Sequence, residues 1–296
     1  MRIAAVVSVK DEIELIDRCV AHLRTIEVDA IIACDKGSTD GTRERLDAYR
    51  ADADFTIIEI SDHESHDIWA AKNLALLEHI GADWVTFLDA DEFIVTASGR
   101  LDDCAALATA DIVTIDRFNV PLAATGPLMP DELVPARYDD LLVVAEPITD
   151  YWDQAEREPE TSWMLAKVAA RVIARSPFIG TIAYGGHNVF PPEGSAPARR
   201  AHADDAFVAH APTTTWPRFE RKVENIREWL TVHDESFGSS RALHWRRWAA
   251  QAEAGSLREE FDRLVFDSDA ISDMLSRSII RSAREIFAER SSPAGA

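Results

Sequence analysis

The stretch Ile3–Val9 reads IAAVVSV and is almost continuously apolar. A short apolar run without polar alternation is typical of a strand that is buried on both faces. Strands of this kind belong to parallel sheets whose two faces are covered by helices. The stretch therefore predicts the first strand of a parallel sheet in an α/β protein.

Helical and strand-like stretches alternate downstream of this strand. Helices are predicted at 11–24, 38–49 and 68–80, and strands at 28–34, 55–60 and 84–88. Three consecutive strand–helix units imply parallel strands joined by right-handed crossovers. The predicted fold class is α/β, with a doubly wound, mostly parallel sheet flanked by helices.

The pattern is less regular after Asp91. Further strands are predicted at 112–118, 168–174 and 207–210. Residues 121–163 are rich in Pro, Asp and Glu and are predicted to form a long acidic loop, which in a compact domain is usually functional. From Trp216 onward, apolar residues recur at helical spacing. We therefore expect a sheet domain over residues 1–212 and a helical C-terminal extension over residues 213–296.

The net charge of −21 is concentrated in one half of the sequence. Residues 1–165 hold 35 acidic and 13 basic side chains, whereas residues 166–296 hold 17 acidic and 18 basic side chains. An acidic surface repels phosphate backbones, so we expect no nucleic-acid partner. If the acidic half binds a nucleotide, a divalent cation is the natural means of offsetting the repulsion.

The sequence shows no sign of secretion or membrane insertion. Cys19, Cys34 and Cys104 lie in apolar surroundings without metal-ligand spacing, which favours buried thiols in a reducing compartment. Met1–Val9 lacks the features of a signal peptide, and no apolar run reaches the roughly 18 residues of a membrane span. The expected location is cytoplasmic, without a transmembrane segment.

The clearest candidate site is Phe87–Phe93, with the sequence FLDADEF, at the end of the predicted fourth strand. Asp89 and Asp91 are separated by one residue, so their side chains point to the same side of an extended backbone. Two such carboxylates can share a hard divalent cation that keeps positions open for phosphate oxygens. Because ligands of these sheets bind at the carboxyl ends of strands, the motif predicts metal binding. An acidic turn is the alternative interpretation.

Two other strand ends carry polar residues. Ser8–Glu12 (SVKDE) follows the first strand, and Asp35–Thr42 (DKGSTDGT) follows the second. Both segments could line a nucleotide cleft at the carboxyl edge of the sheet. A charged first helical turn and a helix cap would explain the same residues without a ligand.

Taken in order, three stretches resemble glycosyltransferase family 2 and its relatives with the GT-A fold. They are Val7–Ile16, Cys34–Thr42 and Asp83–Phe93, within roughly the first 100 residues. The resemblance implies an inverting, metal-dependent transferase that uses a nucleotide-diphosphate sugar and Mn²⁺ or Mg²⁺. Residues 1–212 would then bind the nucleotide-sugar donor and the acceptor. A carbohydrate or glycolipid acceptor is expected, and peripheral membrane contact is compatible with it.

The same resemblance implies roles for individual residues. The residues expected to bind the nucleotide-sugar are Ser8, Lys10, Glu12, Asp35, Lys36, Lys72, Asn73, Asp89 and Ala90. Asp89, Asp91 and the strand-end His210 are the implied metal ligands. Many relatives carry a second acid or an asparagine where Lys36 stands. Relatives also tend to follow the histidine with an aromatic residue, a proline and an arginine, whereas here the next arginine is Arg218.

Inverting transfer needs a base that deprotonates the acceptor hydroxyl. His187, in the segment GGHNV that resembles an acceptor-side segment of the family, and Glu92 are the catalytic candidates. Acids of the long loop are further candidates, namely Glu146, Asp150 and Asp153. His63 and His66 lie in a segment that is either a solvated loop or a ligand contact.

The C-terminal extension is rich in arginine and tryptophan. Its arginines either lie on solvated helix faces or contact an acidic acceptor or lipid head groups; they are Arg218, Arg221, Arg227, Arg241, Arg246 and Arg247. Its tryptophans are expected to pack in the core. Trp152 and Trp163, which flank the long loop, are candidates for stacking on a sugar.

Three other functions are alternatives to a glycosyltransferase. A sugar nucleotidyltransferase would carry a glycine-rich loop after the first strand, and Ser8–Glu12 contains no glycine. A phosphatase of the haloacid dehalogenase type would place its Asp-x-Asp motif after the first strand instead of the fourth. The alternative without catalysis is a degenerate transferase domain that acts as a carbohydrate- or nucleotide-binding module.

Overall fold

The computed structural model of the chain describes residues 1–61, 64, 66–147, 162–237 and 243–292. Strands and helices alternate at its start: β1 (Ile3–Val9), α1 (Ile16–Thr25), β2 (Ala30–Asp35), α2 (Thr42–Ala48), β3 (Phe55–Glu59), α3 (His66–Ile80) and β4 (Trp84–Asp89). The predicted strand–helix alternation is therefore confirmed. Five residues predicted to be of interest lie outside the described residues: His63, Asp150, Trp152, Asp153 and Arg241.

The rest of the described chain adds shorter strands and the C-terminal helices. The strands are β5 (Glu92–Thr96), β6 (Ile112–Asn119), β7 (Leu122–Ala123), β8 (Gly126–Pro127), β9 (Leu142–Val144), β10 (Arg171–Arg175), β11 (Thr181–Ile182), β12 (Val189–Phe190), β13 (Arg200–His210), β14 (Val265–Phe266) and β15 (Ile280–Ser282). The helices are α4 (Trp216–Phe237), α5 (Leu243–Glu253), α6 (Leu257–Asp262), α7 (Ser268–Ser276) and α8 (Ala283–Ser291).

Eight strands form one sheet in the order β3-β2-β1-β4-β10-β6-β13-β5. The first four are mutually parallel, and β6 and β13 are also parallel. Antiparallel pairing joins β4 to β10, β10 to β6 and β13 to β5. The predicted class, an α/β fold with a mostly parallel sheet and C-terminal helices, is confirmed.

Strand β1 lies at the centre of this sheet and is buried on both faces. Ile3, Ala5 and Val7 belong to the apolar cluster that includes α1, whereas Ala4 and Val6 belong to the cluster that includes α3. Since helices cover both faces, neither face of β1 needs polar residues, which explains its continuous apolar sequence.

Several bounds differ from the prediction. Helix α1 begins at Ile16 instead of residue 11, because Asp11 adopts a left-handed conformation (φ 53°) that no helix accommodates. Strand β5 follows the acidic motif directly and was not predicted, and β13 is 11 residues long instead of four. The predicted loop 121–163 contains β7, β8 and β9, so its described part is largely ordered by short strand pairs.

The C-terminal extension packs onto the sheet domain. Strand β14 pairs with β7, and β15 pairs with β9. Ala283, Ile286 and Phe287 of α8 join the main apolar cluster. Within the described residues, no helix has the length and apolar character needed to span a bilayer. The division at residue 212 stays a prediction.

Burial of His22 on α1 makes stability depend on pH. Its Nε2–H donates to Ile94 O at 2.7 Å, and burial lowers the pKa of His22 to about 4. The His22 imidazole is protonated near pH 6.5 in the unfolded chain but only near pH 4 in the folded chain. The stability of the folded state that depends on neutral His22 is therefore lost as the pH falls from 6.5 to 4. This difference in the pKa of His22 corresponds to about 3 kcal/mol of unfolding free energy. We expect His22→Gln, which keeps a donor, to reduce the fall in unfolding free energy measured by urea denaturation across that window; an unchanged slope would contradict the assignment.

Candidate active site

The ends of β1, β2 and β4 bring the predicted stretches to one edge of the sheet. Ser8 and Asp89 are paired in register, and the amide of Ala90 donates to Ser8 O at 3.2 Å. The amide of Lys36 donates to Val9 O at 2.9 Å, which joins the end of β2 to the end of β1. Parallel pairing therefore places these segments side by side, as expected for a ligand site at the carboxyl edge.

Most polar groups after β1 and β2 bond to one another. Asp35 accepts hydrogen bonds from the backbone amide (3.0 Å) and hydroxyl (2.7 Å) of Ser38. Asp11 accepts from the amide of Thr39 at 2.6 Å, and the ammonium of Lys10 donates to the carbonyl of Lys36 at 3.0 Å. These bonds shape the two loops. The predicted nucleotide contacts of Lys10, Asp35 and Lys36 stay predictions.

The two residues of α3 that are predicted to bind the nucleotide-sugar both contact other side chains or backbone groups. Asn73 is fully buried, donates to Trp69 O at 2.8 Å and accepts from the thiol of Cys34 at 3.3 Å. Lys72 forms an ion pair with Glu64 at 2.7 Å. Their roles in donor binding stay predictions.

Asp91 is buried beside two cations from α4. Its Oδ2 accepts from Arg218 Nη2 at 3.0 Å and from Lys222 Nζ at 2.8 Å. Burial by itself would raise the pKa of Asp91, but Lys222 and Arg218 hold that pKa well below its ordinary value. Asp91 is therefore a carboxylate at any working pH.

The other oxygen of Asp91 faces a histidine. Asp91 Oδ1 lies 3.7 Å from His210 Nε2. His210 Nδ1–H donates to Asn119 Oδ1 at 2.8 Å, and Asn119 in turn donates to Met164 O at 3.1 Å. This arrangement leaves the lone pair of His210 on Nε2, and burial together with Arg117 lowers the pKa of His210 well below its ordinary value. Two electron-rich atoms thus face each other.

This pair fits a divalent cation. Metal ions bind histidine nitrogen and carboxylate oxygen at about 2.0–2.2 Å, so two ligand atoms separated by 3.7 Å can share one ion. Most metal-ligating histidines are oriented by a hydrogen bond from the ring nitrogen that does not bind the metal, and the bond from His210 Nδ1 to Asn119 is of this kind. Within the described ranges no three acid, histidine or cysteine side chains form a fuller set. The remaining positions would be open to water and phosphate oxygens.

Asp89 has a different partner. Its Oδ2 accepts from Arg171 Nη2 at 2.5 Å, and its side chain is 46% exposed. The two acids of the motif therefore pair with separate cations, Asp89 with Arg171 and Asp91 with Arg218 and Lys222. A cation shared by Asp89 and Asp91 stays a prediction, and the geometry favours Asp91 and His210 as the pair.

Glu92 lies between two arginines. It is fully buried, its Oε1 contacts Arg117 Nη1, and its Oε2 lies 2.6 Å from Arg171 Nε. The same Oε2 accepts from the amide of Asp89 at 3.0 Å. Both oxygens of Glu92 therefore have protein partners, and its predicted catalytic role stays a prediction.

The glycine pair before His187 approaches β4 closely. Gly186 has φ +70°, and a Cβ at this position would lie 2.6 Å from Phe87 Cβ. Only glycine fits such a turn. The turn presents Gly185 O to Arg171 and fixes His187, whose Nδ1–H donates to Ala170 O at 3.1 Å. Burial, Arg171 and Arg117 lower the pKa of His187 to about 3, so the imidazole is neutral with its lone pair on Nε2.

The ion pair between Glu12 and Arg218 joins the segment after β1 to helix α4. Arg218 donates to Glu12 through Nε at 2.8 Å and through Nη2 at 3.0 Å. Burial raises the pKa of Glu12 to about 7, although Arg218 opposes the shift. Arg218 is 5% exposed and so does not lie on a solvated helix face, whereas contact of the C-terminal arginines with an acidic acceptor or lipid head groups stays a prediction.

Three cations of this site were not predicted, namely Arg117, Arg171 and Lys222. Arg218 was named among the C-terminal arginines, but its partners Glu12 and Asp91 were not. Arg117 and Arg171 fall within the strands predicted at 112–118 and 168–174, and a charged residue in a mostly apolar stretch is a signal of a buried charge with a partner. Arg218 and Lys222 are four residues apart and so share one face of α4.

Two aromatic predictions can be placed. Trp163 stacks on His244 with ring centroids 4.8 Å apart and lies edge-on to Trp248 at 5.4 Å. His66 stacks between Trp69 and Tyr184 at 5.2 and 4.9 Å. One face of Trp163 is therefore covered by protein, and sugar stacking on its other face stays a prediction.

Comparison with solved structures gives distant likenesses. They include TarS 1-349 from S. aureus in complex with UDP-GlcNAc (16% identity, 78% of this chain and 66% of that chain, TM-score 0.41). Glucosyl-3-phosphoglycerate synthase from Mycobacterium tuberculosis, in complex with Mn²⁺, uridine diphosphate and glucosyl-3-phosphoglycerate, is 17% identical (78% and 79%, TM-score 0.37). Mannosyltransferase PcManGT from Pyrobaculum calidifontis, with GDP-Man and Mn²⁺, is 13% identical (94% and 79%, TM-score 0.40). The chain spans 65% of the length of the first TarS structure that it matches. At these TM-scores we draw no conclusion about this chain from the likenesses.

The match in sequence is more specific. Residues 4–111, a little over a third of the chain, match the model of the family described as Glycosyl transferase family 2. The matched segment contains β1 to β4, Glu12 and both acids of the FLDADEF motif. Among curated proteins, none matches the sequence. Over residues 4–111 the chain is therefore similar to glycosyl transferase family 2.

Proposed function

We propose that the protein transfers a sugar from a nucleoside-diphosphate sugar to an acceptor hydroxyl, with inversion at the transferred carbon. The observation that carries the proposal is the pair Asp91 Oδ1 and His210 Nε2, 3.7 Å apart at the carboxyl edge of a family 2 sheet. The pair is where a cation and the diphosphate of a donor would meet. UDP-sugars and GDP-sugars are the donors to test first.

Asp91 and His210 would hold the metal, for which Mn²⁺ and Mg²⁺ are the candidates. When bound, the ion supplies positive charge that stabilises the departing diphosphate. Asn119 keeps the Nε2 lone pair of His210 directed at the site through its 2.8 Å bond to Nδ1. Arg218 and Lys222 keep Asp91 ionised and fixed in place.

The charge balance of the site supports an anionic ligand. The acids Glu12, Asp89, Asp91 and Glu92 are matched by the cations Arg117, Arg171, Arg218 and Lys222. The charges of these four acids are therefore offset by side chains of β6, β10 and α4. A further divalent cation would make this edge net positive, as diphosphate binding requires.

The acceptor side is assigned to a cavity of about 880 Å³ beside the site. Arg117, Asn119 and Ala170 line this cavity, and each contacts a site residue: Glu92, His210 and His187. Its volume lies within the range of ligand pockets. His187 does not line the cavity but contacts Ala170, so we propose that the acceptor hydroxyl approaches His187 from this side.

His187 is proposed to accept the hydrogen bond of the acceptor hydroxyl. With a pKa of about 3 it is neutral at working pH, which leaves Nε2 able to accept, but it is a weak base. Its main contribution is therefore orientation of the hydroxyl. Glu146, the described candidate base of the loop, pairs with Arg281 at 3.0 Å, and its role as a base stays a prediction.

The metal assignment is tested by thermal shift with nucleoside diphosphates and Mn²⁺. We expect the melting temperature of the wild type to rise with UDP or GDP plus Mn²⁺ more than with either component alone, since ligands that bind the folded state stabilise it. His210→Gln removes the metal-binding lone pair and should abolish the additional shift due to Mn²⁺. His79→Gln, on α3 outside the site, is the matched control. An undiminished Mn²⁺ effect in His210→Gln would remove His210 from the metal site.

A screen of nucleotide-sugars separates an enzyme from a binding module. Release of nucleoside diphosphate from one donor supports the proposal. Binding of a donor without turnover, with or without added acceptors, would favour a degenerate domain that only binds nucleotide.

A further inference from the structure

Arg218 and Lys222 contact the same oxygen of Asp91 but differ in their remaining capacity. A guanidinium has five N–H groups and an ammonium has three. Arg218 uses all five: Nε and Nη2 on Glu12, Nη2 on Asp91, and Nη1 on the carbonyls of Ala211 and Pro212. Arg218 has no donor left for a ligand.

Lys222 is not saturated. Its ammonium donates to Asp91 Oδ2 at 2.8 Å and to Pro212 O at 3.2 Å. Within the part of the chain that the structure describes, these two bonds are its only hydrogen bonds, so one of three N–H groups is left over. The side chain is 25% exposed, whereas that of Arg218 is 3% exposed. Lys222 therefore presents a charged donor at the surface of the site.

The position of Lys222 suits a diphosphate. Its ammonium contacts Oδ2 of Asp91, and the other oxygen of that carboxylate faces His210. Phosphate oxygens gathered at the Asp91–His210 pair would lie next to this ammonium. A lysine acts on phosphate as a point charge on a flexible stem, so Lys222 can keep its bond to Pro212 O and still turn toward a new anion.

We propose that Lys222 binds the diphosphate of the donor directly, so that helix α4 of the C-terminal extension forms part of the donor site. This inference rests on the proposed function and adds to it a donor-binding residue outside the segment matched to the family. Arg218 differs in role: it positions Glu12 and Asp91 and does not touch the ligand.

The test is calorimetry with UDP and GDP, and with uridine and guanosine, in Mn²⁺ and in a chelator. A hydrogen bond between charged groups is worth enough that Lys222→Gln should weaken diphosphate binding about tenfold or more. Lys222→Arg should recover part of that loss. The affinity for the nucleoside without phosphates should be the same in Lys222→Gln as in the wild type. Arg221→Gln, which removes a charge from the neighbouring exposed position of α4, is the matched control and should bind like the wild type.

The outcomes separate the two proposals. Wild-type affinity of Lys222→Gln for UDP and GDP overturns the role of Lys222 and leaves the proposed function standing. An equal loss for nucleoside and diphosphate also overturns it, because Lys222 would then act only by holding α4 in place. If the wild type binds neither diphosphate in Mn²⁺, the proposed function fails and this inference fails with it.

Discussion

Replacement of Asp91 by asparagine is expected to lower the release of nucleoside diphosphate from the donor roughly a thousandfold, because a metal contributes several kcal/mol of stabilisation to the departing group. Asparagine keeps the size of the side chain but removes the charge that faces both His210 and the two cations of α4. The measurement is turnover of the donor identified in the nucleotide-sugar screen, at saturating Mn²⁺. The affinity for Mn²⁺ should fall in parallel.

The same substitution affects folding, so it needs a matched control. Asp91→Asn leaves the ammonium of Lys222 without its carboxylate, and activity must be expressed per folded molecule. Asp111→Asn is the comparison, because Asp111 is also a buried carboxylate in an ion pair, with Arg199 at 2.8 Å, but it lies away from the site. We expect Asp111→Asn to keep wild-type turnover. Retained turnover in Asp91→Asn would exclude Asp91 as the metal ligand.

Replacement of Arg171 by methionine is expected to lower the free energy of unfolding by about 3–5 kcal/mol, the cost of removing one partner of a buried ion pair. Arg171 is 1% exposed, and Glu92 and Asp89 raise its pKa above the ordinary value despite burial. Without Arg171, buried Glu92 keeps Arg117 as its cationic partner and the amide of Asp89, and Gly185 O loses the guanidinium that donates to it. Urea denaturation measures the effect.

Three further variants test this explanation. Arg171→Lys keeps the charge but loses the planar fork and should fall between wild type and Arg171→Met. Arg199→Met removes a cation whose side chain is 64% exposed and should cost far less than Arg171→Met. The double variant Arg171→Met with Glu92→Gln should be more stable than the sum of the single effects predicts, because the uncompensated charge is gone. Strict additivity would contradict a direct interaction.

The first half of the sheet could be predicted from sequence because its strands are continuous apolar runs. Ile3–Val9 and Trp84–Asp89 are buried on both faces, and this leaves a strong local signal. The acidic motif was found because it directly follows such a strand. Strand β5 was missed because Glu92 begins it, and a charged residue next to the motif reads as part of a turn.

The counter-charges could not be located from sequence alone. The partners of Asp91 lie 127 and 131 positions away, and no local pattern joins residues at such distances. Arg117 and Arg171 are charged residues within predicted strands, but this pattern does not identify Glu92 as their shared partner. The start of α1 was misplaced for a related reason, because the conformation of Asp11 is held by Thr39 from the next loop.

The link between Glu12 and Arg218 has a consequence for the order of folding. The two residues are 206 positions apart, and Asp91 and Arg218 are 127 apart. Contacts between such distant residues require closure of long loops and tend to slow folding. During synthesis, β1 to β4 emerge well before α4, so their carboxylates remain hydrated until the helix docks. We therefore expect the proposed donor-binding edge of the sheet to be completed late, after the core behind it has collapsed.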